Sequence, residues 1–255
     1  MRPVGVKRLV RLLRRSLNEV VRVPGVTVQN VLAPTLIMLG TTAVFGTLVE
    51  GGGFGTDDYM TFLLPWGFLQ GAAFTGAATG VNFARDIERG FVDRLLVAPI
   101  ARGLLIVVNA LSAAVRTVLP LALLVPVALA FGAELSGPGG VAVAALVAAG
   151  FAMLASAWGT FVALVTRTQE AGPMMQAPVL LTIMLTTSFA PEERLAGWMR
   201  DIADVNPVTP ILELARQAIL SDVLWSDVRP ALIAFAGIGV VLYALTWNQM
   251  RRALV

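Results

Sequence analysis

Residues 82–102 read NFARDIERGFVDRLLVAPIAR. The run carries four arginines and three acids, and long apolar stretches flank it on both sides. An apolar run of about 20 residues is what a helix needs to cross roughly 30 Å of hydrocarbon. A charged segment between two such runs marks a place where the chain turns around outside the membrane. The reading of residues 82–102 therefore fixes the class of the whole molecule.

Composition agrees. The 255 residues are 57% hydrophobic and only 14% charged, with mean hydropathy +0.79. A soluble domain usually carries about 25% charged residues, so this chain lacks the polar surface that a globule in water needs. The expectation is one all-α polytopic membrane domain. The net charge of +3 does not point to nucleic acid, because the basic residues are sorted by topology, as counted below. Neither cysteine nor histidine is present, which removes disulfides, thiol nucleophiles and the commonest general base and metal ligand.

Working outward from residues 82–102, the pattern predicts six transmembrane helices, at about 31–49, 60–83, 104–131, 141–165, 174–190 and 231–247. Ahead of the first, residues 5–23 place Val6, Leu9, Val10, Leu13, Leu17 and Val20 on one stripe, with arginines around the remainder. That is the pattern of an amphipathic interfacial helix lying on anionic headgroups. An arginine-rich organelle presequence has a similar pattern. The second span carries Ala72, Gly76 and Gly80 at four-residue spacing. Such a face lets helix backbones approach closely, within one subunit or between two, although spans are rich in glycine and alanine anyway. The fifth holds Gln176 and Pro178, and an external or re-entrant segment is expected over 191–230.

Orientation follows from counting Lys and Arg. Seven lie in the N-terminal segment, four in the loop between spans 2 and 3 (Arg85, Arg89, Arg94, Arg102), one between spans 4 and 5 and two at the C-terminus. The loops around 50–59 and 133–140 have none, and 191–230 carries four arginines against seven acids. Both termini and residues 82–102 are thus expected to be cytoplasmic, in a multi-pass protein of the cell membrane.

No phosphate-cradling GxxxxGK[ST] motif, dinucleotide fingerprint or metal-spaced cluster is present, so driven transport would need a partner to supply the energy. Residues 84–99 have the make-up of a docking helix: Phe91, Leu95 and Leu96 share one face, with Asp86, Glu88, Asp93 and Arg94 around it. Gly90 breaks the segment and Pro99 ends it. An apolar anchor with a charged rim is a common interface design. The alternative is an amphipathic turn resting on headgroups, but the three acids would be repelled by an anionic leaflet.

The stretch RDIERGFVDRLLVAPIAR resembles the cytoplasmic loop signature of type-2 ATP-binding-cassette exporter permeases of the daunorubicin-resistance kind. The matching features are Asp86 and Glu88 before Gly90, then Asp93 and Leu95-Leu96, then Pro99 and Arg102. Trp198, Asn206-Pro207-Val208-Thr209 and Arg216 are similar to the family's segment before its last span. A departure is Thr187-Ser188-Phe189-Ala190, where the family usually has Ser-Gly near the outer end of span 5. The resemblance implies that two permease subunits pair and that each binds a separate ATPase subunit. ATP would be used by that partner, with no cofactor held by this chain. It assigns Arg85, Asp86, Glu88, Gly90, Asp93, Arg94, Leu95 and Pro99 to a coupling helix facing the ATPase. Trp198, Asn206, Pro207 and Arg216 would belong to the outer gate.

The leading expectation is thus the permease of an ATP-driven exporter for a drug, lipid or glycolipid-like substrate, itself not an enzyme. The alternative is an ion-gradient-driven secondary transporter or channel subunit, which would want acids or histidines within the spans. Three local readings go with these. Arg116 is expected to snorkel to the interface. Glu213 and Arg216 are expected to form an exposed, weak ion pair. Gln176, Thr182, Thr186 and Thr187 either line a path or bond their own backbone.

Overall fold

The computed structural model describes residues 24–91 and 102–252. The interfacial helix expected over 5–23 lies outside these residues, as do Asp93, Arg94, Leu95 and Pro99. Among the described residues the fold is all helical, with no strand. In chain order the helices are α1 (Pro24–Phe45), α2 (Tyr59–Glu88), α3 (Arg102–Arg116), α4 (Val118–Ala130), α5 (Pro138–Thr166), α6 (Gly172–Met184), α7 (Gly197–Val205), α8 (Thr209–Leu220) and α9 (Trp225–Arg252). Three stretches among these are long and apolar enough to cross a membrane: Gly103–Ala130, Pro138–Thr166 and Trp225–Arg252. Val31–Phe45 is a shorter apolar helix. The molecule is a multi-pass membrane protein.

Helix α2 is the axis of the bundle. Residues 59–80 are buried without interruption, and a helix buried on every side must sit among other helices. It packs against α1, α4, α5, α6 and α8. Its side chains change along its length to suit. Phe62, Leu63, Leu64, Phe68 and Leu69 fill the core near Tyr59, and the small residues Ala72 to Gly80 follow.

The small-residue face is used inside the subunit, against α5. A Cβ placed on Gly76 would lie 2.4 Å from Ala155 Cβ and 2.8 Å from the α5 backbone; one on Gly80 would lie 2.6 Å from the backbone of Gly159. Two backbones at such distance exclude every side chain larger than hydrogen, and this is how apolar helices gain dispersion contact where no water drives them together.

The expected third span runs over Gly103–Ala130, with its helical hydrogen bonding interrupted at one residue. Helix α3 ends at Arg116, α4 begins at Val118, and Thr117 sits between them. Pro120 explains the break, because it has no N–H to give the Arg116 carbonyl and its ring crowds that turn. Arg116 is 8% exposed, so protein covers it; the expectation that it snorkels to the interface was wrong. Helix α3 packs against α5 and α2, and periodicity alone does not convey that cover.

Helix α6 has 13 residues, about 20 Å of helix at 1.5 Å per residue. It stops at Met184, and residues 185–190 form a turn rather than continuing the span. Within it, Pro178 leaves the Met174 carbonyl without its helical donor, and the Trp158 indole on α5 donates to that oxygen at 3.1 Å. Beyond the turn, α7 and α8 are separated by Asn206-Pro207-Val208, and α8 packs back against α2, α5 and α9. The C-terminal carbonyls of α8 are received by the 133–140 loop: Ser136 donates through N to Ile219 O at 2.9 Å and through its hydroxyl to Ala218 O at 2.7 Å.

Candidate functional site

Polar residues concentrate at the two ends of α2. At the Glu88 end, Arg85 Nε donates to Gln169 Oε1 at 2.9 Å, and the Gln169 backbone N–H donates to Glu88 Oε1 at 2.9 Å. Gln169 opens a short 3-10 turn, Gln169–Ala171, after Thr168, whose hydroxyl accepts from the Glu170 N–H at 3.2 Å. Arg85 and Glu88 thus clamp the α5–α6 connection onto the end of the central helix. Asp86 is half-buried on the same turn, and Gly90 follows at φ +65°, with open space where a Cβ would be. A left-handed φ suits glycine and redirects the chain there.

The Glu88 carboxyl is held below the usual carboxylate range, first by the Gln169 N–H, then by the Thr168 hydroxyl, with Arg85 and Arg89 adding to it. A lowered folded pKa makes the clamp strongest above the ordinary value of 4.5, and its contribution is lost as pH falls below that through the folded value. The protection of the Gln169 amide against hydrogen exchange, corrected for intrinsic rate, is expected to drop over this acid range. In Glu88→Gln it is expected to be lower and flat with pH; an unchanged titration in that variant would remove Glu88 as the cause.

At the Tyr59 end, Asp58 caps α2, its Oδ2 accepting from Thr61 N and Thr61 Oγ1, both at 2.7 Å. Close by, three residues converge on the turn that follows α6. Asn206 Nδ2 donates to Thr182 O at 2.7 Å and Leu185 O at 2.8 Å, while its Oδ1 accepts from Val208 N at 2.9 Å. The first two close the open carbonyl end of α6, which any helix must satisfy. Arg216 donates through Nη2 to Thr187 O at 2.6 Å and through Nη1 to Glu213 Oε1 at 2.5 Å and Thr187 Oγ1 at 3.2 Å. Its guanidinium lies 4.1 Å from the centre of the Phe62 ring. Tyr59 donates its hydroxyl to Phe189 O at 2.8 Å, and the Phe189 ring packs on Trp66 with centroids 5.1 Å apart.

The expectation of an exposed Glu213–Arg216 pair is therefore corrected. The Arg216 side chain is 5% exposed and that of Glu213 37%. The ion pair is half-buried, and Thr187 also donates its hydroxyl to the same Glu213 oxygen. Sequence spacing showed the i,i+3 pair but not that the turn after α6 would cover it. Of the residues grouped with it from sequence, Asn206 and Arg216 meet on residues 182–187, and Pro207 lies in the bend between α7 and α8. Trp198 stands apart, 65% exposed on α7.

Gln169 and Tyr59 were not expected at these sites, whereas Glu213 was paired with Arg216 and Thr187 was expected to line a path or bond its own backbone. The signal available for Glu213 was its i,i+3 spacing to Arg216. Gln169 and Tyr59 carried none, since their partners are far away in sequence. Thr182 and Thr186 bond the backbone of their own helix, to Val179 O and Ile183 O. No group of acids capable of holding a metal ion is found among the described residues.

The family model for the ABC-2 type transporter matches residues 7–220. The chain belongs to the ABC-2 type transporter family. It is 26% identical, over 98% of its length and 88% of the relative's, to the daunorubicin resistance ABC transporter permease protein DrrB1 of Streptomyces coeruleorubidus. It is 22% identical to the probable multidrug ABC transporter permease YbhR of Escherichia coli K12, over 74% of this chain and about half (52%) of that one. As an ABC-2 permease it is a membrane transport subunit. Both polar ends of α2 and the whole helical bundle as far as α8 fall inside the matched region.

Proposed function

We propose that this ABC-2 permease forms the translocation path of an ATP-driven exporter, as a pair of permease subunits with a separate ATPase bound to each. Residues 84–99 are the coupling helix, with Arg85, Asp86, Glu88, Gly90, Asp93, Arg94, Leu95 and Pro99 toward the ATPase. Six spans cross the cell membrane, with α6 completed by the 185–190 turn and the α7–α8 re-entry, and both termini lie in the cytoplasm. Asn206, Pro207 and Arg216 belong to the outer gate, with Trp198 at its rim. The cargo is an amphipathic drug, in keeping with the names of the two relatives, or a lipid or glycolipid-like molecule.

The observation that carries this reading is that residues 82–88 are the last turns of α2 itself. A push delivered at Glu88 acts on the most deeply buried helix of the bundle. Through the Gln169 clamp it acts on the α5–α6 connection at the same time. One input therefore reaches both α2 and α6, which meet at the far end where Tyr59, Asn206 and Arg216 hold the turn after α6. A gradient-driven carrier would need a titratable acid inside the spans. Among the described residues the buried charged side chains are Arg116 and Arg216, and arginine stays protonated.

Asp86→Ala is expected to leave the permease in the membrane and bound to its ATPase while lowering export tenfold or more, with ATP hydrolysis continuing uncoupled. Transport assays in proteoliposomes beside ATPase rates measure this. Normal export by Asp86→Ala would sink the coupling assignment, and failure of any ATPase to co-purify in mild detergent would count against the exporter reading.

A further inference from the structure

Between α5, α6 and α9 lies a cavity of about 220 Å³, walled by Phe151, Trp158, Pro178, Thr182, Ile238 and Leu242 and floored by Pro207 and Val208. It lies beside Pro178 of α6. Pro178 breaks the helical hydrogen bond to Met174, and the Trp158 indole that replaces it holds α6 against α5 at that level. The polar groups around it are spent: Trp158 Nε1 on Met174 O, and the Thr182 hydroxyl on Val179 O at 2.7 Å. No charged side chain lines the space.

We propose that this cavity binds the middle of an acyl chain of a bilayer phospholipid, which becomes part of the packing of α6. Apolar cavities of about 150 Å³ take up small hydrocarbons, and this cleft has an equally apolar lining. Sites for drug-sized molecules are larger, about 300–1,000 Å³, and present convergent free polar groups; here there are none. Continuity with an exposed apolar surface on membrane-crossing helices names the occupant. Ile238 and Leu242 belong to α9, whose apolar stretch is only 6% buried, and Leu181 on α6 and Val241 on α9 are 57% exposed beside the lining residues. An acyl chain entering from that exposed surface meets apolar walls throughout, whereas a transported molecule would have no polar contact by which to be selected. The unusually short α6 gains, from a lodged chain, apolar contact that protein does not supply.

The test uses the full-length permease in phosphatidylcholine vesicles, with or without bromine at mid-chain, because bromine quenches indole fluorescence on contact. Subtracting the emission of Trp158→Phe isolates Trp158. Its emission is expected to fall at least twofold in brominated vesicles. Filling the cavity from opposite walls, by Thr182→Phe or Ile238→Phe, is expected to restore it. Absence of quenching in the unaltered protein overturns the proposal, as does quenching that is equal in both filled variants. Recovery of emission when a transported amphipath is added would assign the cavity to cargo instead. None of these readings depends on ATP hydrolysis, so they stand apart from the exporter assignment.

Discussion

Gly80→Val is expected to abolish accumulation of folded permease in the membrane. At this position α2 and α5 touch backbone to backbone, and a Cβ would lie 2.6 Å from both the Cα and the carbonyl carbon of Gly159 and 2.9 Å from its oxygen. No flexible side-chain end is available to move aside. The two helices would have to separate along their whole crossing, which also involves Gly76 and Ala155. Overpacking a core costs about 1–3 kcal/mol where neighbours can adjust and more where they cannot. A total stability of about 5–15 kcal/mol leaves little margin for a loss beyond that range. Gly40→Val on α1, where nothing lies within 4 Å of the added Cβ, is the matched control and is expected to accumulate normally. The comparison is read by membrane yield and monodispersity in mild detergent. Equal yields for the two variants would refute the close crossing.

Arg216→Met is expected to release the turn after α6. The substitution keeps much of the side chain's bulk over Phe62 but removes the donors to Thr187 O and Thr187 Oγ1 and the partner of Glu213. Breaking a fully buried ion pair costs about 3–5 kcal/mol. Glu213 is 37% exposed and water takes over part of its solvation, so about 2–3 kcal/mol is the appropriate scale. Arg216→Met/Glu213→Gln should recover part of the loss, because the carboxylate left behind in the single variant is then neutral. Thermal unfolding in detergent measures the stability. Hydrogen exchange at 182–190 locates it, and protection there is expected to fall while that of α2 at 62–80 is kept. A Tm within a degree of the unaltered protein would show that the Arg216 cluster contributes nothing to holding the turn.

The class of the protein was legible because it depends on averages. Charge depletion, apolar runs and the asymmetry of arginines survive any detail of packing. Residues 82–102 were legible as a turn outside the membrane for the same reason. The helix ends were less so. Periodicity placed a span over 174–190, but α6 stops at Met184, where Asn206 accepts the task of closing its carbonyls from 21 residues away along the chain. Arg116 looked like an interfacial arginine at the edge of an apolar run. The packing of α3 against α5 and α2 places it under cover.

Sequence alone determined that this is an all-helical membrane protein, which segment is charged enough to meet a partner in water, and which patches resemble a transporter permease. Those are properties of local composition, and the cost of burying charge or exposing hydrocarbon fixes them residue by residue. The tertiary structure decided that the Ala72–Gly80 face packs against α5 within one subunit. It also decided that Arg85 and Glu88 hold the α5–α6 connection, and that Glu213 and Arg216 are covered by a turn formed far from them in sequence. These are contacts between residues up to 84 positions apart. Steric fit and hydrogen-bond geometry in three dimensions select them, and no local pattern encodes either.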